Sequence, residues 1–322
     1  MSRPQAHEVR IGVLAALGFA SVACLPLFDD GYYLSLGVNI VMYAALCTAW
    51  TLFSGPTHYI SLATAAFFGI GTYTVGIGIE TMPFGALLAI ACVLSGFVAA
   101  LVGLATLRLS GVYFVIFTLG LAELVRQIVT WVQTNFTTGI GLYVFTEFTE
   151  KHIFWMLLGL TAVIYLTGWA INRSRLGFAM RIIGNDETVA AHVGIDTARA
   201  KVLLFVISGA FIGIIGAILA PRFAYIEPPS AFNPMISFQV VIMALLGGTK
   251  RLWGPLVGVI PFTIVFDAVS AQFPNHTSIM MGLAFLAVVY LIPNGITGWI
   301  EALYARLKGN PAQPVAKTRW IA

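Results

Sequence analysis

The chain has 322 residues, of which 17 are Lys or Arg and 13 Asp or Glu, so charged residues make up 9% against 59% apolar. An ordinary soluble domain carries roughly 25% charged residues, and a water-soluble body of this size could not cover its surface with so few polar groups. Soluble enzymes, nucleic-acid-binding proteins and disordered segments are excluded: a mean hydropathy of +0.92 describes a polytopic membrane protein, all-α in class.

A bilayer core of roughly 30 Å takes about 20 apolar residues per helix. Apolar runs lie at 11–28, 33–53, 58–79, 84–107, 111–131, 153–171, 202–220, 236–249, 254–273 and 277–297, which predicts ten transmembrane helices. The chain divides into an N-terminal tail (1–10), a membrane domain (11–298) and a C-terminal tail (299–322). The first run follows Arg3 and Arg10 and reaches Ser21-Val22-Ala23-Cys24, which imitates a lipoprotein cleavage site; without the usual Leu it reads as a retained span. The 236–249 run is short and reads as one half of a broken helix continuing toward the next. Glycines crowd the third run (Gly69, Gly71, Gly76, Gly78), the seventh (Gly209, Gly213, Gly216) and the ninth (Gly254, Gly258). Lipid offers no hydrophobic drive for helix association, so small residues that let backbones touch predict tight interfaces there. Gly55-Pro56 and Gly254-Pro255 mark backbone breaks at span ends.

The Lys/Arg bias sets the orientation. With ten spans and the N-terminus inside, 14 of the 17 basic residues fall on cytoplasmic segments; Arg126, Lys151 and Arg222 are the exceptions. Both termini are then cytoplasmic. The net charge of +4 is spread among short loops and is no nucleic-acid footprint. Cys24, Cys47 and Cys92 lie in apolar runs without metal or redox spacing and read as small apolar filler.

Catalytic motifs are absent. Gly247-Gly248-Thr249-Lys250 lacks the spacing of a phosphate-binding loop, Gly69-x-Gly71 fails the dinucleotide pattern, and the five histidines are scattered. The chain itself therefore binds no cofactor or metal and does not hydrolyse ATP. Charges within spans are few. Glu123 and Arg126 stand three residues apart on one helix face and can neutralise each other, whereas Asp267 has no sequence-local partner and could cap a vestibule or a helix end. An ion-coupled transporter needs acidic groups near the bilayer midplane; their scarcity favours a pathway driven from outside the chain.

The longest water-exposed stretch expected on the cytoplasmic side is 172–201. Within it, Asn185 or Asp186 can cap a short helix through Glu187, Ala190 and Ala191 that Gly194 closes. Such a helix is too short to stand alone. Its outer face would offer Val189, Ala190 and Val193 beside Arg181 and Asp186, an apolar knob ringed by charge that fits the groove of a protein partner.

This loop resembles the coupling segment of ATP-binding-cassette importer permeases, specifically the branched-chain amino-acid permease family. That family runs GRALRAIREDE-x-AAEA-x-GI where this chain has Arg175 to Glu187, Ala190-Ala191 and Gly194-Ile195. Further matches are Ala65 to Tyr73, Leu109 to Leu119 with Ala122-Glu123 and Arg126, Ser208-Gly209, Gly247-Gly248 with Gly254-Pro255, and Pro293 with Gly295. The resemblance covers roughly residues 35–300.

It implies a cobalamin-importer-like permease fold with pseudo-symmetric halves. It also implies a bacterial inner-membrane complex with a second, homologous permease subunit, two cytoplasmic ATP-binding subunits carrying ATP and Mg2+, and an extracytoplasmic solute-binding protein. Arg181, Asn185, Asp186, Glu187, Ala190, Ala191 and Gly194 would form the ATPase-coupling loop. The solute would be a branched-chain or other amino acid, or a related amide, urea or organic acid. One departure bears on that choice: the family's GQLSLGH stretch reads His58-Tyr59-Ile60-Ser61-Leu62-Ala63-Thr64 here. Tyr59, Ser61, Thr64 and the adjoining Phe68 are the candidates for the pathway lining. A self-sufficient secondary transporter or channel is the alternative, separable by whether the chain alone moves solute.

Overall fold

The computed structural model describes residues 23, 26, 31–106, 112–136, 141–249, 251–291 and 295–298. Among them the chain is almost wholly helical: α1 (Tyr32–Thr57), α2 (Thr64–Gly78), α3 (Phe84–Thr106), α4 (Val112–Phe136), α5 (Glu150–Arg173), α6 (Arg175–Asn185), α7 (Glu187–His192), α8 (Thr197–Leu219), α9 (Pro228–Ala231), α10 (Pro234–Gly247), α11 (Gly254–Gln272) and α12 (Thr277–Leu291). A two-residue antiparallel pairing joins β1 (Leu142–Tyr143) to β2 (Tyr225–Ile226), with Leu142 opposite Ile226.

Among the described residues, seven helical stretches are long and apolar enough to cross a bilayer: 32–57, 84–106, 112–136, 150–173, 197–222, 228–247 and 254–272. The protein is a polytopic helical membrane protein. The first expected span (11–28, apart from residues 23 and 26) and the C-terminal tail lie outside the described residues. One further expected span comes out shorter: α2 has 15 residues, about 22 Å at 1.5 Å per residue, less than a bilayer core. The expected run 277–297 is helical over Thr277–Leu291, and residues 292–294 lie outside the described set. For α2 the cause is that 58–63, apolar enough to be counted in the span, is not helical.

The expected continuation of 236–249 into the next run is corrected. Gly248, at φ 100°, ends α10, and α11 folds back against it. A Cβ added at Gly258 would lie 2.2 Å from the Met243 carbonyl oxygen, and one at Gly247 2.3 Å from that of Gly254. The two helices form an antiparallel hairpin whose backbones touch. The interruption falls instead before α10, where Phe232-Asn233 separates it from α9.

Short as it is, α2 is the centre of the bundle. Twelve of its 15 residues are buried, against five of 25 in α4. It packs on α8 and α3, and α8 packs in turn on α1. Glycines set the distance: a Cβ at Gly71 would stand 1.8 Å from the Gly213 carbonyl oxygen, and one at Gly216 2.1 Å from that of Phe68. The Thr72 hydroxyl bridges the same seam, donating to the carbonyls of Phe68 (3.0 Å) and Gly216 (3.1 Å). The tight packing expected of the glycines in the third and seventh runs is therefore a backbone-to-backbone contact, and the two runs make it with each other. The outer surface is the reverse. Val112, Ile116, Phe117, Leu124 and Ile128 of α4 are exposed, as suits a face turned to hydrocarbon.

Candidate functional site

The irregular segment 58–63 is where the core departs from regular structure. Helix α1 continues through Pro56 to Thr57 and is stopped at His58, whose φ of 58° is the one positive value at a non-glycine residue among those described. Non-helical backbone inside a packed bundle is tolerated where protein supplies the hydrogen bonds that a helix would have made. Three helices do so here. Trp50 Nε1 of α1 donates to the Ser61 carbonyl (2.8 Å), and Thr118 Oγ1 of α4 accepts from Leu62 N (3.0 Å). Ser237 Oγ of α10 donates to the Leu62 carbonyl (2.8 Å) and accepts from Ala65 N (2.9 Å).

Of the four residues expected to line a pathway, Ser61, Thr64 and Phe68 are buried and Tyr59 is half-buried, so the segment is closed over. Ser61 Oγ accepts from Ala63 N (3.3 Å), whereas Thr64 Oγ1, in the first turn of α2, is buried without a partner. Tyr59 stands apart from the other three and turns toward α7 and α8. At the far end of α2, Phe232 lies over Gly69 and stacks on Tyr73 with ring centroids 5.5 Å apart. There Leu142 and Ile226 of the β1–β2 pairing approach Gly76. Arg222 ties that end together, donating to Asn39 Oδ1 and Ser35 Oγ (2.7 Å each) with Glu150 at 3.4 Å.

Helices α6 and α7 occupy the opposite end. The Ser174 hydroxyl accepts from Gly177 N (3.4 Å) to start α6, an 11-residue helix where the sequence suggested only a loop. Its inner face carries the buried Met180 and Ile183. Gly184 is seated on the end of α1: a Cβ there would meet the Pro56 carbonyl oxygen at 2.4 Å. The cap of α7 is Asp186, whose Oδ1 accepts from Val189 N (3.1 Å). Gly194, at φ 85°, closes it, and Ile195 N donates back to the Ala190 carbonyl (3.1 Å), the six-to-one bond of a glycine-terminated helix.

The expected outer face needs one correction. Val189 and Val193 are exposed, but Ala190 is fully buried, because it sits 100° round the helix from Val189 and packs against the bundle. Phe178 of α6 takes its place among the exposed apolar groups. Arg181 and Asp186 are exposed as expected. The side chains of Asn185 and Ala191 lie outside the described set.

Glu187 does not face outward only. Its carboxylate pairs with Lys201 Nζ at 2.5 Å, and the lysine side chain is 1% exposed. Lys201, at the start of α8, was legible only as one more inside charge, because its partners lie 14 and 142 residues away. Trp50, Thr118 and Ser237 gave no sequence signal at all, each lying in an apolar run with its partner in the 61–65 backbone outside that run.

The three intramembrane charges all find partners. Arg126 Nε donates to Glu123 Oε2 (2.8 Å), a second guanidinium nitrogen donates to Glu123 Oε1, and Gln127 Nε2 joins that oxygen at 2.8 Å. This cluster lies midway along α4 on its exposed side. Asp267 accepts from the hydroxyl of Tyr32, the first residue of α1, at 2.5 Å, so its partner lies 235 residues away in sequence.

Comparison with known proteins bears on this arrangement. Residues 32–289 match the family described as branched-chain amino acid transport system / permease component. The high-affinity branched-chain amino acid transport system permease protein LivM of Escherichia coli K12 is 27% identical over 304 residues, covering 82% of this chain and 66% of the relative. The LivH permease protein of the same system name and organism is 30% identical over 151 residues, covering 47% and 48%. The L-arabinose transport system permease protein AraH of that organism is 28% identical over 148 residues, covering 41% and 44%. This chain thus spans just under two thirds of the length of the LivM protein. No solved structure matches it.

Proposed function

The chain belongs to the branched-chain amino acid transport system permease family, and from that premise we propose that it is the membrane subunit of an ATP-binding-cassette importer. Its cargo is a small polar solute, a branched-chain or other amino acid or a related amide, urea or organic acid, carried across a bacterial inner membrane. It pairs with a second, homologous permease subunit; the separate LivM and LivH relatives support such a pair. Two cytoplasmic subunits supply ATP hydrolysis, and an extracytoplasmic binding protein delivers the solute. Ten helices in a cobalamin-importer-like arrangement, with both termini cytoplasmic, complete the proposed topology, the undescribed first run being one of them.

One observation carries this reading. The α6–α7 segment is a capped, two-helix element whose inner face is keyed into the bundle through Met180, Ile183, Gly184 and Ala190. Its outer face leaves Phe178, Val189 and Val193 bare among Arg181 and Asp186. Exposed apolar side chains ringed by charge on a water-facing segment suit a protein partner's groove. ATP-driven closure of the motor subunits would move this element and rock the bundle between outward and inward openings, each state favoured by different contacts.

The buried state of Ser61, Thr64 and Phe68 fits a closed pathway that opens when α2 moves against α8. Solute choice rests with the binding protein, and Thr64, which departs from the family's pattern, modifies the lining.

The test is reconstitution in liposomes with partner subunits and binding protein. Uptake that needs ATP and all components is the expected result. Uptake by this chain alone, driven by an ion gradient, would favour a secondary transporter and overturn the importer assignment.

A further inference from the structure

Lysine is almost never fully buried unless paired, and Lys201 is buried to 1% exposure five residues into α8. Its ammonium meets three contacts from two other segments. Nζ donates to Glu187 Oε1 of α7 (2.5 Å) and to the Tyr59 hydroxyl (3.1 Å), and it stands 4.3 Å from the Tyr59 ring centroid. The Tyr59 hydroxyl in turn donates to Glu187 Oε2 at 3.3 Å, closing a three-membered ring. One member lies on α7, one on α8, and one on the irregular 58–63 segment that leads into α2.

The ring continues into the core through aromatic contacts. Tyr59 meets Phe114 edge-on (5.4 Å, 89°), Phe114 meets Phe205 (6.1 Å), and Phe205 meets Phe67 of α2 (5.5 Å). If α7 slid away from α8, a buried ammonium would lose its counter-charge, a costly state. The three segments are therefore bound to move together or to open this ring as a discrete step.

Building on the permease assignment, we infer that the Glu187–Lys201–Tyr59 ring is the linkage that delivers motion of α7 to the 58–63 segment, and through it to α2. These are positioning residues: none need touch the solute. The α6 contact, Gly184 on Pro56, holds the end of α1 in place while the ring pulls on the strand just beyond it. A merely structural ion pair would stabilise the fold without affecting how much solute moves per ATP. A linkage must affect that ratio.

The test uses the full complex in liposomes, reading solute uptake and ATP hydrolysis together. Lys201→Met removes the charge while its apolar stem keeps filling the site, and the half-exposed Glu187 can turn to water. The expected result is a fall of about tenfold in uptake per ATP hydrolysed, within the usual range of coupling between sites, with hydrolysis itself sustained. Glu187→Gln should fall in the same direction, and the double variant should be no worse than Lys201→Met alone, because one linkage is broken only once.

Should Lys201→Met fail to assemble, Tyr59→Phe carries the test. It keeps the ring stack and loses only the hydroxyl, and a several-fold fall in the ratio is expected. Variants with the wild-type ratio, or losses that add in the double variant, overturn the linkage and leave the permease assignment standing. A wild-type complex whose uptake ignores ATP overturns both.

Discussion

Consider Gly71→Ala, the smallest change that can be made at the α2–α8 seam. The added methyl carbon would lie 1.8 Å from the Gly213 carbonyl oxygen, 2.7 Å from its carbonyl carbon and 3.0 Å from Ala217 N. All three are backbone atoms of α8, so no side chain can swing aside. Carbon needs about 3.5 Å from such neighbours, and the two helices must therefore separate by roughly 1.5 Å. That separation strains the Thr72 bridge to Gly216 and loosens α8 against the buried Phe67 and Phe68 of α2. Overpacking a good core costs about 1–3 kcal/mol, and a clash with rigid backbone belongs at the upper end, about 3 kcal/mol or more. At roughly 2 °C per kcal/mol for a chain of this size, the detergent-solubilised protein should lose about 5 °C or more in unfolding midpoint.

The matched control is Gly120→Ala, in the exposed face of α4, where an added Cβ meets nothing within 4 Å. There only helix propensity acts, worth up to about 1 kcal/mol in favour of Ala, so the midpoint should hold or rise. Fluorescence-detected gel filtration after heating measures both. A Gly71→Ala protein as stable as wild type would show that the seam is slack and that small residues there do not set the helix distance.

Other expectations follow from the same contacts. Ser237→Ala removes the partner of both Leu62 O and Ala65 N, at about 1–3 kcal/mol for each buried group left open. It should therefore destabilise more than Thr118→Val, which frees Leu62 N alone; equal unfolding midpoints would argue against the bridging role. At Gly194, with φ 85° and open space around it, a substituent meets only backbone strain of about 1–2 kcal/mol. Gly194→Asn, which tolerates that conformation, should lose less uptake per ATP than Gly194→Val, and matching losses would point to a steric cause instead. For the α4 cluster, Arg126→Leu leaves a lone carboxylate at the helix centre, worth about 3 kcal/mol against insertion. Membrane yield should fall for the single variant and recover when Glu123→Gln is added; no recovery would mean that the guanidinium has a further partner.

Composition and spacing made the helical class legible, and they located both ends of α7 through its caps. Asp186 and Gly194 act as helix signals because capping is local: donor and acceptor lie within four or five residues of one another. Hydropathy counted 58–63 into a span because Ile60, Leu62 and Ala63 are as apolar there as in a helix. What makes the segment extended is the supply of hydrogen bonds from Trp50, Thr118 and Ser237, up to 175 residues away, which no window can register. Lys201 was hidden for the same reason, and Tyr59 was legible as a candidate for the pathway lining but not as a partner of Glu187 and Lys201.

The physics nonetheless suggests where to look in such chains. Backbone that leaves the helix at membrane depth must take its partners from side chains, and a buried cation must take its counter-charge from another segment. Thr118 and Ser237, each with no exposed area, and Lys201, at 1%, are the places where a polar residue inside an apolar run is answered by a distant strand of the chain. All three contact the same short stretch, residues 59–65, or the helix it begins. Polar side chains too well buried for lipid contact and too isolated in sequence for local capping thus converge, among the described residues, on a stretch of core backbone held largely by side chains of other helices, and such a stretch can shift when those helices move.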